Sequence, residues 1–146
     1  MFRLRLIPSL LLRDERIVKT IQFNKFQYIG DPCNTVRIFN ELEVDELFLK
    51  DILASTNNQK PNFKLLKDIA NECFMPLTYG GGIKCLDDAK QLFDLGFEKI
   101  LLNTNAIINP RLISEIATQY GSQAVVISID VKKNNFKWQK SIQFFW

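Results

Sequence analysis

The chain has 146 residues, 47% apolar and 24% charged, the balance of an ordinary folded domain rather than a disordered segment. Its net charge of +3 is small and scattered, with Lys132, Lys133, Lys137 and Lys140 near the C-terminus, which argues against a nucleic-acid partner. With no histidine and three unpaired-looking cysteines (Cys33, Cys73, Cys85), the sequence argues against Ser-His-Asp or Cys-His catalysis, a disulfide framework and a zinc site.

The first dozen residues are apolar and carry Arg3 and Arg5, so a signal peptide must be weighed. Pro8 interrupts the run, and the charged stretch Arg13-Asp14-Glu15-Arg16 follows in place of a small-residue cleavage site. No stretch reaches the ~18 apolar residues of a membrane helix. The expected location is the cytoplasm, with no membrane partner.

Short apolar runs then alternate with helical patterns. The runs cover residues 4–12, 44–52, 75–79, 99–103 and 124–130, each of strand length. Between them, residues 34–42 carry a helical stripe through Val36, Ile38, Phe39 and Leu42. Three more stripes follow, led by Phe63, Leu65, Leu66 and Ile69, then Leu86, Ala89 and Leu92, then Leu112, Ile113 and Ile116. Asn109-Pro110 reads as a cap residue followed by proline at the first helical position, and Gly96 and Gly121 as helix ends. Repeated strand–helix–strand units predict parallel strands, either in a doubly wound sheet or in a (β/α)8 barrel. A complete barrel takes roughly 250 residues; this chain supplies four βα units and a fifth strand.

Ligands of parallel α/β folds gather where the strands end. The third strand runs into Gly80-Gly81-Gly82, whose backbone N–H groups suit an anion, and Asn103 and Thr104 follow one unit later. A tight turn without ligand would use the same glycines. Asp130 closes the fifth strand, on the face shared by Ala124, Val126 and Ser128. There it is a candidate general acid or base, or else a helix cap or the partner of a neighbouring lysine. Asp51, closing the second strand at the site mouth, has the same two readings. At the opposite strand ends, Arg5, Glu46 and Lys99 read as a stabilising ion-pair ring, or alternatively as a gate. No metal site and no cofactor is expected.

Together these features resemble the cyclase-subunit family of imidazole glycerol phosphate synthase, from histidine biosynthesis. The resemblance rests on Arg5-Leu-Ile-Pro8, Arg16-Ile-Val-Lys19, Gly30-Asp31-Pro32, Asp45-Glu46-Leu47 and Asp51-Ile52. It continues through Gly80-Gly-Gly-Ile83, Asn103-Thr104, Asn109-Pro110, Gly121-Ser-Gln-Ala-Val-Val126 and Ile129-Asp130. It covers residues 1–133 and implies the first half of a (β/α)8 barrel, with residues 134–146 an atypical basic-aromatic tail. It further implies a lyase that takes ammonia from a glutamine amidotransferase partner and cyclises a phosphorylated small molecule. By the same analogy Arg5, Glu46 and Lys99 are an ammonia gate, Gly81, Gly82, Asn103 and Thr104 hold a substrate phosphate, Asp130 is catalytic, and Lys19 lies in a mobile loop over the site.

Two departures stand out. Leu11 occupies the position of the family's other catalytic aspartate, with Asp14 nearby in the loop, so catalysis is expected to be impaired. The Leu10-Leu11-Leu12 ending, Lys19-Thr20 and Cys73-Phe-Met-Pro-Leu77 are similar to a branch that helps amidate sugars for surface polysaccharide (lipopolysaccharide) biosynthesis, in which the barrel is an ammonia channel. The second departure is the stop at Trp146, expected to mark an incomplete or frameshifted product, or a half-barrel that self-associates.

Overall fold

The computed structural model describes residues 4–21 and 25–130. Among the described residues, seven strands form one sheet, in the order β3 (Lys25–Gly30), β2 (Arg16–Ile21), β1 (Ser9–Arg13), β4 (Leu47–Asp51), β5 (Leu77–Gly80), β6 (Lys99–Leu102) and β7 (Val125–Ile127). Five of them, β1, β4, β5, β6 and β7, run parallel and adjacent in chain order. The crossovers carry helices α1 (Pro32–Glu41), α2 (Phe63–Glu72), α3 (Leu86–Asp94) and α5 (Arg111–Tyr120). A doubly wound sheet reverses its strand order at a switch point; this sheet never does. With each crossover of the usual right hand, every helix falls on one face and the sheet winds in a single direction, as a barrel requires. The fold is therefore four βα units and a fifth strand, as the sequence predicts.

One face of the sheet meets the helices. Leu12, Leu49, Tyr79, Ile100 and Leu102 from the strands pack with Val36, Leu66, Ile69, Leu92, Leu112 and Ile116, all of them buried. Strand alternation then sends the other residues to the concave face. Register aligns Leu11, Lys50, Gly80, Leu101 and Val126 in one row there. A lower row holds Ser9, Phe48, Thr78 and Lys99.

Several boundaries differ from expectation. The first strand was expected over residues 4–12 but begins at Ser9, because Pro8 has no N–H to give the ladder. Residues 6–8 are still held beside β4: Leu6 N–H donates to Asp45 Oδ2 at 2.7 Å, and Pro8 O accepts from Phe48 N–H. The last strand is shorter than residues 124–130, since Ser122–Ala124 turns as a 3-10 helix before it. Pro110 adopts helical dihedrals (φ −59°, ψ −23°), but the Asn109 side chain makes no cap hydrogen bond. Side-chain caps occur on other helices: Asp31 Oδ1 accepts from Asn34 N–H at 3.0 Å at the start of α1, with Pro32 next to it, and Asn62 Oδ1 from Leu65 N–H at 3.2 Å at the start of α2. α3 and α5 do stop just before Gly96 and Gly121.

Two elements were not anticipated. A short helix α4 (Thr104–Ile108) follows β6. Between β1 and α1 lies an antiparallel hairpin, β2 (Arg16–Ile21) and β3 (Lys25–Gly30), and β2 pairs with β1 through Leu11–Val18, Leu12–Ile17 and Arg13–Arg16. The two-residue turn, Asp14 and Glu15, has positive φ at both positions (48° and 62°), as tight hairpin turns demand. Asn-Gly is the usual choice there, so Asp-Glu gives no turn signal. Among the described residues, no helix is long and apolar enough to cross a membrane. Residues 134–146, expected to form an atypical tail, lie outside the described residues, as do Lys132 and Lys133.

Candidate functional site at the strand ends

At the N-terminal end of the sheet, Glu46 is buried to 1% exposure and ringed by donors. Lys99 Nζ lies 2.7 Å from both carboxylate oxygens, Thr78 Oγ1 donates to Oε1 at 2.8 Å, and Arg5 Nη2 donates to Oε2 at 3.0 Å. Burial opposes ionisation, but the Lys99 and Thr78 hydrogen bonds and the charges of Lys99 and Arg5 outweigh it. The Glu46 carboxyl is held below the usual range. Arg5, Glu46 and Lys99 thus form one charged cluster. Thr78 belongs to it too; an isolated threonine in an apolar strand gives no signal of that.

At the C-terminal end an open cavity of about 400 Å³ brings the other candidates together: Gly81, Gly82, Asn103, Thr104, Asp130 and Asp51 all line it. Their positions follow from local folding. Gly81 (φ +138°) and Gly82 (φ +68°) turn the chain out of β5 in conformations that other residues rarely adopt. A side chain at Gly81 would strike Asp51, and one at Gly82 would strike Gln59 O, because the loop after β4 packs over the turn. Ser55 Oγ accepts from Gly82 N–H at 3.3 Å, and Lys84 Nζ donates to Asn58 O at 2.7 Å, fastening that loop to the turn. The glycines are therefore required by packing whether or not an anion binds.

Asn103 Nδ2 donates to Asp130 Oδ2 at 2.8 Å, linking the fourth parallel strand's end to the fifth's, while Asn103 Oδ1 is buried with no partner. Asp51 has a structural task. Its Oδ1 accepts from the N–H groups of Leu53 and Ala54, both at 3.0 Å, and caps the following turn. Burial, with the nearby Asp14 charge adding, pushes its carboxyl up against those two hydrogen bonds.

Lys19 stands apart. It is an exposed residue of β2, paired with Gln27, rather than part of an irregular loop, and it does not line the cavity. The hairpin instead presents Thr20 and Phe26, which are register partners. Leu11 also lines the cavity, and so does Lys50, its neighbour in register. Lys50 could have been found from sequence: it is the one cation within the apolar run Leu47-Phe48-Leu49-Lys50. Asp14 is an exposed residue of the hairpin turn and lies outside this cavity.

Comparison with known proteins agrees with this architecture. The model of the family described as "Histidine biosynthesis protein" matches residues 5–144, running into the stretch beyond the described residues. A Pseudomonas aeruginosa protein, provisionally named an imidazole glycerol phosphate synthase subunit, is 55% identical over 133 residues. That alignment covers 91% of this chain and 53% of the relative. A Leptospira borgpetersenii protein with a similar provisional name is also 55% identical over 133 residues, covering 91% and 52%. The imidazole glycerol phosphate synthase subunit HisF of Streptococcus mutans is 38% identical over 133 residues, covering 91% and 53%. This chain, spanning about half the length of those curated relatives, belongs to the histidine biosynthesis protein family and has the fold of its barrel's N-terminal half.

Proposed function

We propose that the chain is the phosphate-binding half of a cyclase-type barrel, served with ammonia by a glutamine amidotransferase. The observation that carries this is the cavity at the strand ends, where the Gly81–Gly82 turn, Asn103, Thr104 and Asp130 converge. Backbone and amide donors there suit a phosphorylated small molecule, and the hydrogen bond from Asn103 sets the Asp130 carboxylate beside it for proton transfer. The Glu46 cluster lies at the opposite end of the sheet, where ammonia would enter; Arg5, Glu46 and Lys99 act as its gate. The relatives' names supply an imidazole glycerol phosphate synthase subunit, and the family resemblance adds ring closure on a bis-phosphorylated ribulosyl substrate.

Leu11 limits that chemistry. It faces the cavity where the reaction needs a second carboxylate, and leucine neither takes nor gives a proton. Removing one member of a cooperating acid–base pair costs orders of magnitude in rate. This favours a second reading in which the barrel chiefly conducts ammonia for sugar amidation in surface-polysaccharide biosynthesis, without turnover of its own.

The test mixes the full chain with the glutaminase from the same source, then supplies the ribulosyl bisphosphate with either glutamine or ammonium. The expected result is a complex that forms no cyclised product. Product from ammonium would overturn the impairment, and failure to form a complex would overturn the ammonia role.

A further inference from the structure

We propose that Lys50 is a ligand-binding residue, supplying the positive charge for an anionic group held in the cavity, and that Leu11 is what leaves it free to do so. The inference rests on reading this cavity as the anion site. Every donor named there so far is a backbone N–H or a neutral side chain. Among the described residues that line the cavity, Lys50 is the cation.

Its placement is set by register. Lys50 pairs with Leu11 on one side and Gly80 on the other, so its half-buried stem projects from the concave face between a leucine and a residue with no side chain. Leu101, next in the row, fills the space above Gly80, where a Cβ would meet its Cδ2 at 2.6 Å. Lys50 lines the cavity with an apolar neighbour on one side and no side chain on the other, a setting in which a long basic side chain lays its stem on carbon and keeps its ammonium in the open space. Among the described residues no carboxylate lies within ion-pair distance of it. Asp51, its neighbour in sequence, also lines the cavity, but its Oδ1 is occupied by the Leu53 and Ala54 N–H groups. The two cations at the far end of the sheet, Lys99 and Arg5, are consumed by Glu46.

The chemistry of Leu11 follows. Adjacent strands lie about 4.8 Å apart, so an aspartate at position 11 would stand beside Lys50 on the same face and pair with it. Leucine removes that competitor and lowers the local polarity, both of which strengthen the attraction of the ammonium for a phosphate or carboxylate. The site's charge is thus shifted from acidic towards anion-seeking by one residue.

The test is a titration of the full chain with inorganic phosphate at low ionic strength, followed by calorimetry, with thermal melts to confirm that each variant folds. Lys50→Met is expected to weaken binding about tenfold, the usual scale for one charge-assisted hydrogen bond. Lys50→Arg, which keeps the charge, should stay within about threefold. Leu11→Asp should weaken binding as Lys50→Met does, although it adds a carboxylate where catalysis would want one. Unchanged affinity in Lys50→Met, with loss of binding in Thr104→Val, would sink the role of Lys50 while leaving the anion site standing. Absence of phosphate binding in the unaltered chain would sink both. Tighter binding in Leu11→Asp would overturn the role given to Leu11.

Discussion

The two ends of the sheet handle charge in opposite ways. At the N-terminal end a buried carboxylate meets three donors within 3.0 Å, and its charge is answered from within the chain. At the C-terminal end Asn103 Oδ1 lacks a partner, and Lys50 lines an open cavity with no carboxylate within ion-pair distance of it among the described residues. Both ends are built from alternate residues of the same strands, so burial alone does not separate structure from function. What separates them is satisfaction: polar groups whose partners are supplied hold the fold, and those left wanting await something from outside.

The largest effect should come from breaking the satisfied end. Lys99→Met leaves the Glu46 carboxylate with only Thr78 and the largely exposed Arg5. Orphaning a buried charge costs about 3 kcal/mol or more. Urea denaturation should show that loss, while phosphate affinity stays unchanged if the two ends are independent. Gly82→Ala should cost about 2 kcal/mol, from its positive φ and the contact with Gln59 O. Unlike Lys99→Met, it should also abolish phosphate binding, since the turn itself would move.

The smallest effect lies in pH. The Glu46 carboxyl is held down in the folded state, so the unfolded chain binds its proton more readily. Its contribution is full above the ordinary carboxylate pKa and is lost as pH falls through the depressed folded value. Denaturation midpoints measured across the acid range should fall less steeply in Glu46→Gln than in the unaltered chain. Parallel curves would mean that the cluster contributes nothing through charge.

Much of this was legible in the residues. Parallel strands showed as continuous apolar runs, most fully buried in the central pair Leu77–Gly80 and Lys99–Leu102, and the helices as stripes. The Gly81–Gly82 turn, Asn103, Thr104 and Asp130 were found because polar residues at strand ends stand out against those runs. The hairpin was not: its strands carry Arg16, Lys19 and Lys25 among apolar residues, and its turn lacks glycine. Lys50 was legible in the same way, as the single cation in the run Leu47-Phe48-Leu49-Lys50, but only the register shows which residues flank it. Thr78 became meaningful only when the register brought it beneath Glu46, information that no single strand contains. Lys19 was assigned to a loop by resemblance, whereas the alternation in Arg16–Ile21 makes it a strand residue facing away from the cavity-lining Thr20.

The hairpin carries a consequence for the order of folding. β1 has two edges, and β4 must join it after closing the entire stretch of residues 14–46, whereas β2 joins it across the two-residue Asp14–Glu15 turn. Closing the shorter loop costs less entropy, and hairpins form within about 1–10 μs. β2 can therefore cover one edge of Leu11, Leu12 and Arg13 before β4 arrives, leaving that strand a single side on which to dock. A local turn thus settles early a choice that the long-range contacts would otherwise have to make late.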